Sequence, residues 1–320
     1  MICILITLVL PHLYLVKNYK PYDLEIRCIE QKNDIDELEI SGTPLLRTIK
    51  LLQCEPFVVS FLGGISGKNI RKSFIKNNIK SKFIFTRIDT ELKVNIVDND
   101  KQYALFGEEP KQIIKKEYSL YKTELNNFKN LTNVVVIDEE YFKSNEKEFY
   151  NDILKFYKND HYKVIVNTNK YINIHEISKH STPYAIKVTL DKDDAFSQKS
   201  KEDIVKLYAD YIQLGIHYVA VDIVGKGAIL ISKNKTCYIE TEHKLCCEKV
   251  FEAKDAFLGA MAVGIARKYE QEKILKLAFS TSLAVLKANG INYCTQNDIM
   301  LNKKNSKISE LYNKKKKLIS

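Results

Sequence analysis

Val134-Val135-Val136-Ile137, Val164-Ile165-Val166, Ala185-Ile186-Lys187-Val188 and Tyr218-Val219-Ala220-Val221 are four short apolar runs rich in β-branched residues. Each is too short for a helix and lacks the in-out alternation of a strand with one wet face, so each predicts a strand buried on both sides. Between them lie amphipathic helical segments, clearest at 145–157 and 201–214. Buried strands alternating with helices predict an α/β protein: a mostly parallel central sheet covered by helices on both faces.

The same grammar extends toward the N-terminus. Residues 2–10 form a continuous apolar run, and Phe57-Val58-Val59-Ser60-Phe61-Leu62 forms another, ending at Gly63-Gly64. Pro44 sits where proline suits a first helical turn, ahead of Leu45, Leu46, Ile49 and Leu52 on one face. Residues 22–40 and 82–106 behave differently, because apolar and polar residues alternate there. They predict half-exposed strands in a small second sheet. Toward the C-terminus, 228–232 and 237–241 predict a hairpin around Asn234. Two helices follow at 255–269 and 273–289, the second stopped by Asn289-Gly290. The closing run Lys314-Lys315-Lys316-Lys317 reads as a solvated terminus. One domain spanning 1–320 with a small sheet appended is the economical organisation.

Composition excludes several classes. Lys+Arg is 50 against Asp+Glu at 40, a formal charge of +10. The excess is lysine, since the arginines are Arg27, Arg47, Arg71, Arg87 and Arg267. Such a surface attracts phosphates, but readers of nucleic acid favour arginine, so nucleic acid is not the expected partner. The 7 cysteines include no C-x-x-C pair, which argues against a disulfide framework or a zinc site and for a reducing cytoplasm. The apolar N-terminus has no basic residues before it and is too short to span a bilayer, so it reads as a strand and no membrane association is expected.

Motifs then narrow the reading. Glu252-Ala253-Lys254-Asp255, followed by the small-residue helix Ala256-Phe257-Leu258-Gly259-Ala260, resembles the closing G-A-G-D signature of the PfkB carbohydrate kinases. Phe61-Leu62-Gly63-Gly64 with Gly67 resembles that family's F-L-G-G-x-x-G. Gly42, Arg47, Lys50 and Leu52 fall within its G-G-K-G-x-N-V-A-R-V-L-K stretch. Asn95 matches the asparagine of T-R-x-N, Val166-Asn167-Thr168 is similar to V-D-T, and Ile186-Lys187 to I-K-P-N. Gly227-Ala228 corresponds to the G-A before the nucleotide loop, and Gly290 follows the last nucleotide-side helix. The order and spacing hold over nearly the whole chain, in the style of 1-phosphofructokinase and tagatose-6-phosphate kinase.

The resemblance implies a ribokinase-like αβα sandwich in which 22–40 and 82–106 form a β lid over a sugar. It implies transfer of the ATP γ-phosphoryl group, with Mg2+, to a hydroxyl of a sugar phosphate such as fructose 1-phosphate or tagatose 6-phosphate. Asp255 would take the hydroxyl proton. Ala253, Lys254, Lys187, Gly227 and Gly290 would face the nucleotide and phosphate, while Gly42, Gly63, Gly64 and Asn95 would face the sugar. Pairing of two copies through the lid is the expected assembly. The departures are concentrated at this site. Glu252 and Lys254 replace glycines, Tyr14 stands where N-P-x-x-D has aspartate, Ser41 replaces the G-G-K-G lysine, and Asp138-Glu139-Glu140-Tyr141 replaces S-G-S-L-P. Thr189 takes the place of the asparagine after Lys187, with Asp193 and Asp194 keeping acidity where the family organises magnesium. Asp255 alone also fits a plain first-turn helix carboxylate. A non-catalytic relative that binds a ligand or a protein is therefore the alternative to a kinase, and a polyanion binder is a third reading.

Overall fold

The computed structural model describes residues 4–19, 39–98, 101–105, 113–143, 146–158, 161–168, 182–190, 199–241, 250–288 and 293–313. The strands are β1 (Leu5–His12), β2 (Leu15–Tyr19), β3 (Glu39–Ile40), β4 (Glu55–Leu62), β5 (Lys80–Phe85), β6 (Leu92–Asp98), β7 (Lys101–Leu105), β8 (Val134–Asp138), β9 (Lys163–Thr168), β10 (Ala185–Leu190), β11 (Tyr218–Ile223), β12 (Gly227–Ile231), β13 (Lys235–Glu240) and β14 (Ile308–Asn313). The helices are α1 (Thr43–Leu51), α2 (Gly64–Lys76), α3 (Lys115–Phe128), α4 (Lys147–Phe156), α5 (Lys201–Leu207), α6 (Ala209–Gln213), α7 (Val250–Ala266), α8 (Gln271–Lys287) and α9 (Gln296–Asn305).

Ten strands form the central sheet in the order β14-β13-β12-β11-β10-β9-β8-β1-β4-β5. From β5 to β11 every neighbouring pair is parallel, and β12, β13 and β14 continue antiparallel. Side chains alternate between two cores. One face carries Leu8, Leu10, Val58, Val136, Ile165, Ala185 and Ala220 and packs with Leu45, Ile70, Phe257, Met261 and Leu283 of α1, α2, α7 and α8. The other carries Val9, Val59, Val135, Ile137, Val166, Val188 and Val221 and packs with Tyr121, Leu125, Ile153 and Tyr211 of α3, α4 and α6. Period-2 alternation inside uniformly apolar strands is what a three-layer αβα sandwich requires. Helix α7 can lie close on its neighbours because of its small residues. A β-carbon at Gly259 would stand 3.1 Å from Thr48 Cβ.

The small sheet has the order β3-β2-β6-β7, with β2 parallel to β6 and the other pairs antiparallel. Its make-up corrects two expectations. Lys82–Phe85 belongs to β5, the edge of the central sheet, whose one-sided exposure imitates lid alternation. The lid instead takes in Leu15–Tyr19, directly after β1, a stretch to which the sequence reading assigned no strand of the small sheet. Within 22–40 only Glu39–Ile40 is a described strand, and residues 20–38 lie outside the described residues. Two further differences concern boundaries. The expected helix over 201–214 breaks at Tyr208 into α5 and α6, and the strand β14, not foreseen, pairs with β13 beside the terminal lysines.

Candidate active site

Strand β1 has β4 on one side and β8 on the other, so the chain reverses its direction of growth there. In open α/β sheets the crevice outside the carboxyl ends of the strands at such a point is where ligands bind. The sequence places its unusual polar residues along that edge. Asp138 ends β8, Asn167 lies next to it on β9, and Lys187 follows on β10. Asp138 pairs in register with Asn167, and Asn167 with Lys187. Asp138, Asn167, Lys187 and Asp222 are all buried. One step lower, the equivalent row is Val136, Ile165 and Ala185.

Each member of the row has partners. Asn167 Nδ2 donates to Asp138 Oδ2 at 2.9 Å, and the Glu140 amide donates to Asp138 Oδ1 at 3.1 Å. Burial, and next the charge of Glu140, pushes the Asp138 carboxyl up to about 7. Lys187 Nζ donates to Thr189 Oγ1 and lies 3.9 Å from Asp222 Oδ2. Burial pulls the Lys187 ammonium below the usual lysine range, against the attraction of Asp222 and, more weakly, of Asp138 and Asp255. A fully buried lysine is far from the ordinary surface lysine that a strand end would carry.

Asp255 reaches this row from α7. Burial pushes its carboxyl well above the usual aspartate range. Asp138 and Glu140 push the same way, and Lys187 opposes them. Burial first, and after it neighbouring charges that include Asp255, raises the phenols of Tyr14, Tyr141 and Tyr293 above the usual tyrosine range. The Tyr14 and Tyr141 rings stack with centroids 6.0 Å apart, and Lys93 Nζ sits 3.6 Å from the Tyr14 centroid. Tyr14 thus replaces an expected sugar-facing carboxylate with a phenol that hydrogen-bonds Glu140. Gly42 caps α1 at φ 74°, and a β-carbon on it would come within 3.1 Å of Tyr141 Oη.

The helix start differs from expectation. Asp255 was expected at the first turn of its helix, but α7 begins at Val250. Glycines would have kept an open loop, whereas glutamate and lysine at 252 and 254 are good helix formers, and the chain is wound through them. Ala253 is fully buried and Lys254 half-buried in this first part of α7.

The remaining expected residues are dispersed. Gly227 opens β12, and a β-carbon there would meet Ile239 O at 2.5 Å, so the hairpin itself requires glycine. Asn95 lies on lid strand β6. Gly290, Asp193 and Asp194 lie outside the described residues. Gly63 and Gly64 open α2 beside a small cavity lined by His12, Tyr14, Gly63, Thr90, Glu91 and Lys143, among others. Where a Gly64 β-carbon would project, at φ 60°, stands the Asp89 carboxylate, which already supplies negative charge at that helix start.

His12, at the end of β1, borders the same cavity. Its Nε2 lies 2.8 and 2.9 Å from the two oxygens of buried Glu146, which also accepts from Tyr118 Oη at 2.8 Å and the Lys143 amide at 3.1 Å. Burial opposes ionisation of Glu146, but these bonds outweigh it and hold the carboxyl below the usual glutamate range. A depressed carboxyl contributes stability above its unfolded pKa of about 4.3 and loses it as pH falls through the folded value. Glu146→Gln is therefore expected to lower the unfolding free energy by about 1–3 kcal/mol at pH 7 and by much less at pH 3. Chemical denaturation at the two pH values checks this, and an equal deficit at both would contradict it.

The sequence pattern described as pfkB family carbohydrate kinase matches residues 45–298. The chain belongs to this family. A curated 1-phosphofructokinase from Borreliella burgdorferi is 23% identical over 268 residues, covering 81% of this chain and 83% of the relative. A Thermotoga maritima structure described as "Possible 1-phosphofructokinase" aligns with a TM-score of 0.81 at 15% identity, over 96% of this chain and 99% of that one. Escherichia coli phosphofructokinase-2, in a tetrameric inhibited form, aligns at 0.76 with 13% identity over 94% and 99%. The fold is therefore the ribokinase-like sandwich with a small β lid, and the protein is a PfkB carbohydrate kinase by family. Membership implies ATP and Mg2+. Lys254 and the amino end of a 17-residue helix fit an anionic nucleotide. Among the described residues no group of three or more His, Cys, Asp or Glu side chains is placed to hold a metal ion. Magnesium in such sites is carried largely by the phosphates, with one or two carboxylates.

Proposed function

We propose that the protein phosphorylates a sugar phosphate at the expense of ATP, with fructose 1-phosphate or tagatose 6-phosphate as the type of acceptor. The observation that carries the reading is Asp255 held over a buried Asp138–Asn167–Lys187 row at the carboxyl edge of the sheet. ATP with its magnesium supplies the phosphoryl group and bridging charge. Phosphoryl transfer then asks the protein for positioning and charge stabilisation. Asp255 takes the proton of the acceptor hydroxyl. Ala253 and Lys254, in the first described turns of α7, hold the transferring phosphate. Lys187 offsets the carboxylates beneath, and Gly227 and Gly290 border the nucleotide. Gly42, Gly63, Gly64 and Asn95, with the lid, enclose the sugar. The lid is also the surface through which we infer that two copies pair. No described helix is long and apolar enough to cross a membrane, and Cys54, Cys237 and Cys294 are buried thiols, in keeping with a cytoplasmic protein.

Calorimetry with ATP–magnesium, with and without fructose 1-phosphate, tests this reading. Magnesium-dependent nucleotide binding, tightened by the sugar phosphate and followed by ADP release, is expected from a particle of twice 37.0 kDa by light scattering. No binding of either ligand would overturn the kinase reading in favour of a binding module.

A further inference from the structure

The polar row across β8, β9 and β10 has no structural necessity. Buried charge costs free energy that apolar side chains avoid, and the row beneath shows that this sheet accommodates apolar residues at the neighbouring positions. Its members divide the work unevenly. Asp138 accepts two hydrogen bonds, one from Asn167 on the adjacent strand and one from the Glu140 amide. Asn167 Oδ1, by contrast, is buried with no hydrogen-bond donor among the described residues. The row therefore holds a carboxyl at one end, a lysine at the other, and an open acceptor between them. The family pattern has its acid one strand over, at the position of Asn167. In this chain the carboxylate has moved to Asp138, across a single register pair.

We infer that Asp138, braced by Asn167, is a positioning residue for phosphoryl transfer, its carboxylate setting the electrostatic environment of Asp255. The inference rests on the kinase reading above. Asp138 does not touch the reacting atoms in this account. It acts because Asp255 lies within its field, and so does the Lys187 ammonium. The charged and titratable groups that share that field are Glu140 and Tyr141 after β8, Tyr14 after β1, Lys187 and Asp222 on β10 and β11, Glu252 and Lys254 on α7, and Tyr293 before α9. Of the carboxylates that raise Asp255, Asp138 has the largest effect. Removing its charge lets Asp255 ionise at lower pH, so the limb on which kcat/KM rises with pH moves in the acid direction.

The experiment compares the wild-type protein, Asp138→Asn and the exchanged pair Asp138→Asn/Asn167→Asp. For Asp138→Asn the acid limb of kcat/KM is expected to move down by about one pH unit, with kcat falling roughly tenfold and KM for the sugar phosphate changing far less. The exchanged pair returns a carboxylate to the row and is expected to recover most of both changes. Carbon-13 NMR titration of the Asp255 carboxyl reads the same coupling without turnover. A lower Asp255 midpoint in Asp138→Asn shows the coupling whether or not turnover is seen, whereas no phosphorylation by the wild-type protein would overturn the kinase reading and with it the role in transfer. An unmoved Asp255 midpoint, or a rate loss equal at every pH that the exchange does not repair, would overturn the inference itself.

Discussion

Asp255→Asn is expected to lower kcat for sugar-phosphate phosphorylation by about a hundredfold or more, which corresponds to roughly 2.7 kcal/mol of lost transition-state stabilisation. The amide keeps the shape of the carboxyl but cannot take the hydroxyl proton. The fold should survive the change. Folding raises the Asp255 carboxyl above its ordinary value through burial and then through Asp138 and Glu140. A carboxyl raised in this way holds its proton more tightly folded than unfolded, so its ionisation subtracts stability as pH climbs above the unfolded value. The asparagine variant escapes that penalty. Its thermal midpoint should equal or exceed that of the wild type at pH 8, and its relative advantage should shrink toward pH 4. ADP release in a coupled assay, with melting curves at both pH values, measures the two halves. Equal turnover in the two proteins would remove Asp255 from the role of base.

Gly63→Ala is expected to be the most damaging single-methyl change, at about 3–5 kcal/mol of stability, enough to abolish soluble expression. The reason is proximity, since the backbone at Gly63 is ordinary extended chain. A β-carbon there would stand 1.7 Å from Ile88 O and 2.7 Å from the Ile88 carbonyl carbon. Neither is the movable end of a side chain. The same spot is laced by backbone bonds: Gly63 N to Thr90 Oγ1 at 3.0 Å, Thr90 N to Gly63 O at 3.1 Å and Thr86 N to Leu62 O at 2.8 Å. Displacing Ile88 strains all of them and shifts the approach to lid strand β6. A soluble yield and melting midpoint matching the wild type would show that the 86–90 turn yields, contrary to expectation.

How far the sequence carried the reading differs by element. The central strands were legible because burial on both faces leaves an uninterrupted apolar run, as at 134–137 and 164–166. The lid was misplaced for a physical reason. Lys80–Phe85 alternates because it is an edge strand with a free side, and alternation cannot say which sheet a strand joins. Strand β14 was hidden because its apolar residues Ile308, Leu311 and Tyr312 do not alternate, a register shift interrupting the pairing opposite Thr236 and Cys237, and because a lysine run follows it in the sequence. At the site, motif order drew attention to Asp255 and Lys187. The partnership of Asp138 with Asn167 was not, because it depends on the register of two strands 29 residues apart. Asp138 looked like a loss of the family pattern, yet a lone acid closing an otherwise apolar strand was the available signal. The His12–Glu146 pair spans 134 positions and left no local trace.

Strand β1 sits in the middle of the sheet, between β4 and β8, although it precedes both in the chain. A ribosome extends a chain at about 5–20 residues per second, so some seconds pass between the synthesis of β1 and that of β8, its later neighbour. During that interval a run of Ile6, Leu8, Val9 and Leu10, fully covered in the finished protein, lacks the neighbours that β8 will later supply. Residues 13–138 thus have to be made before β1 can be paired on both sides, so the time its apolar face stays exposed is set by the length of chain between β1 and β8 rather than by the stability of the completed sandwich.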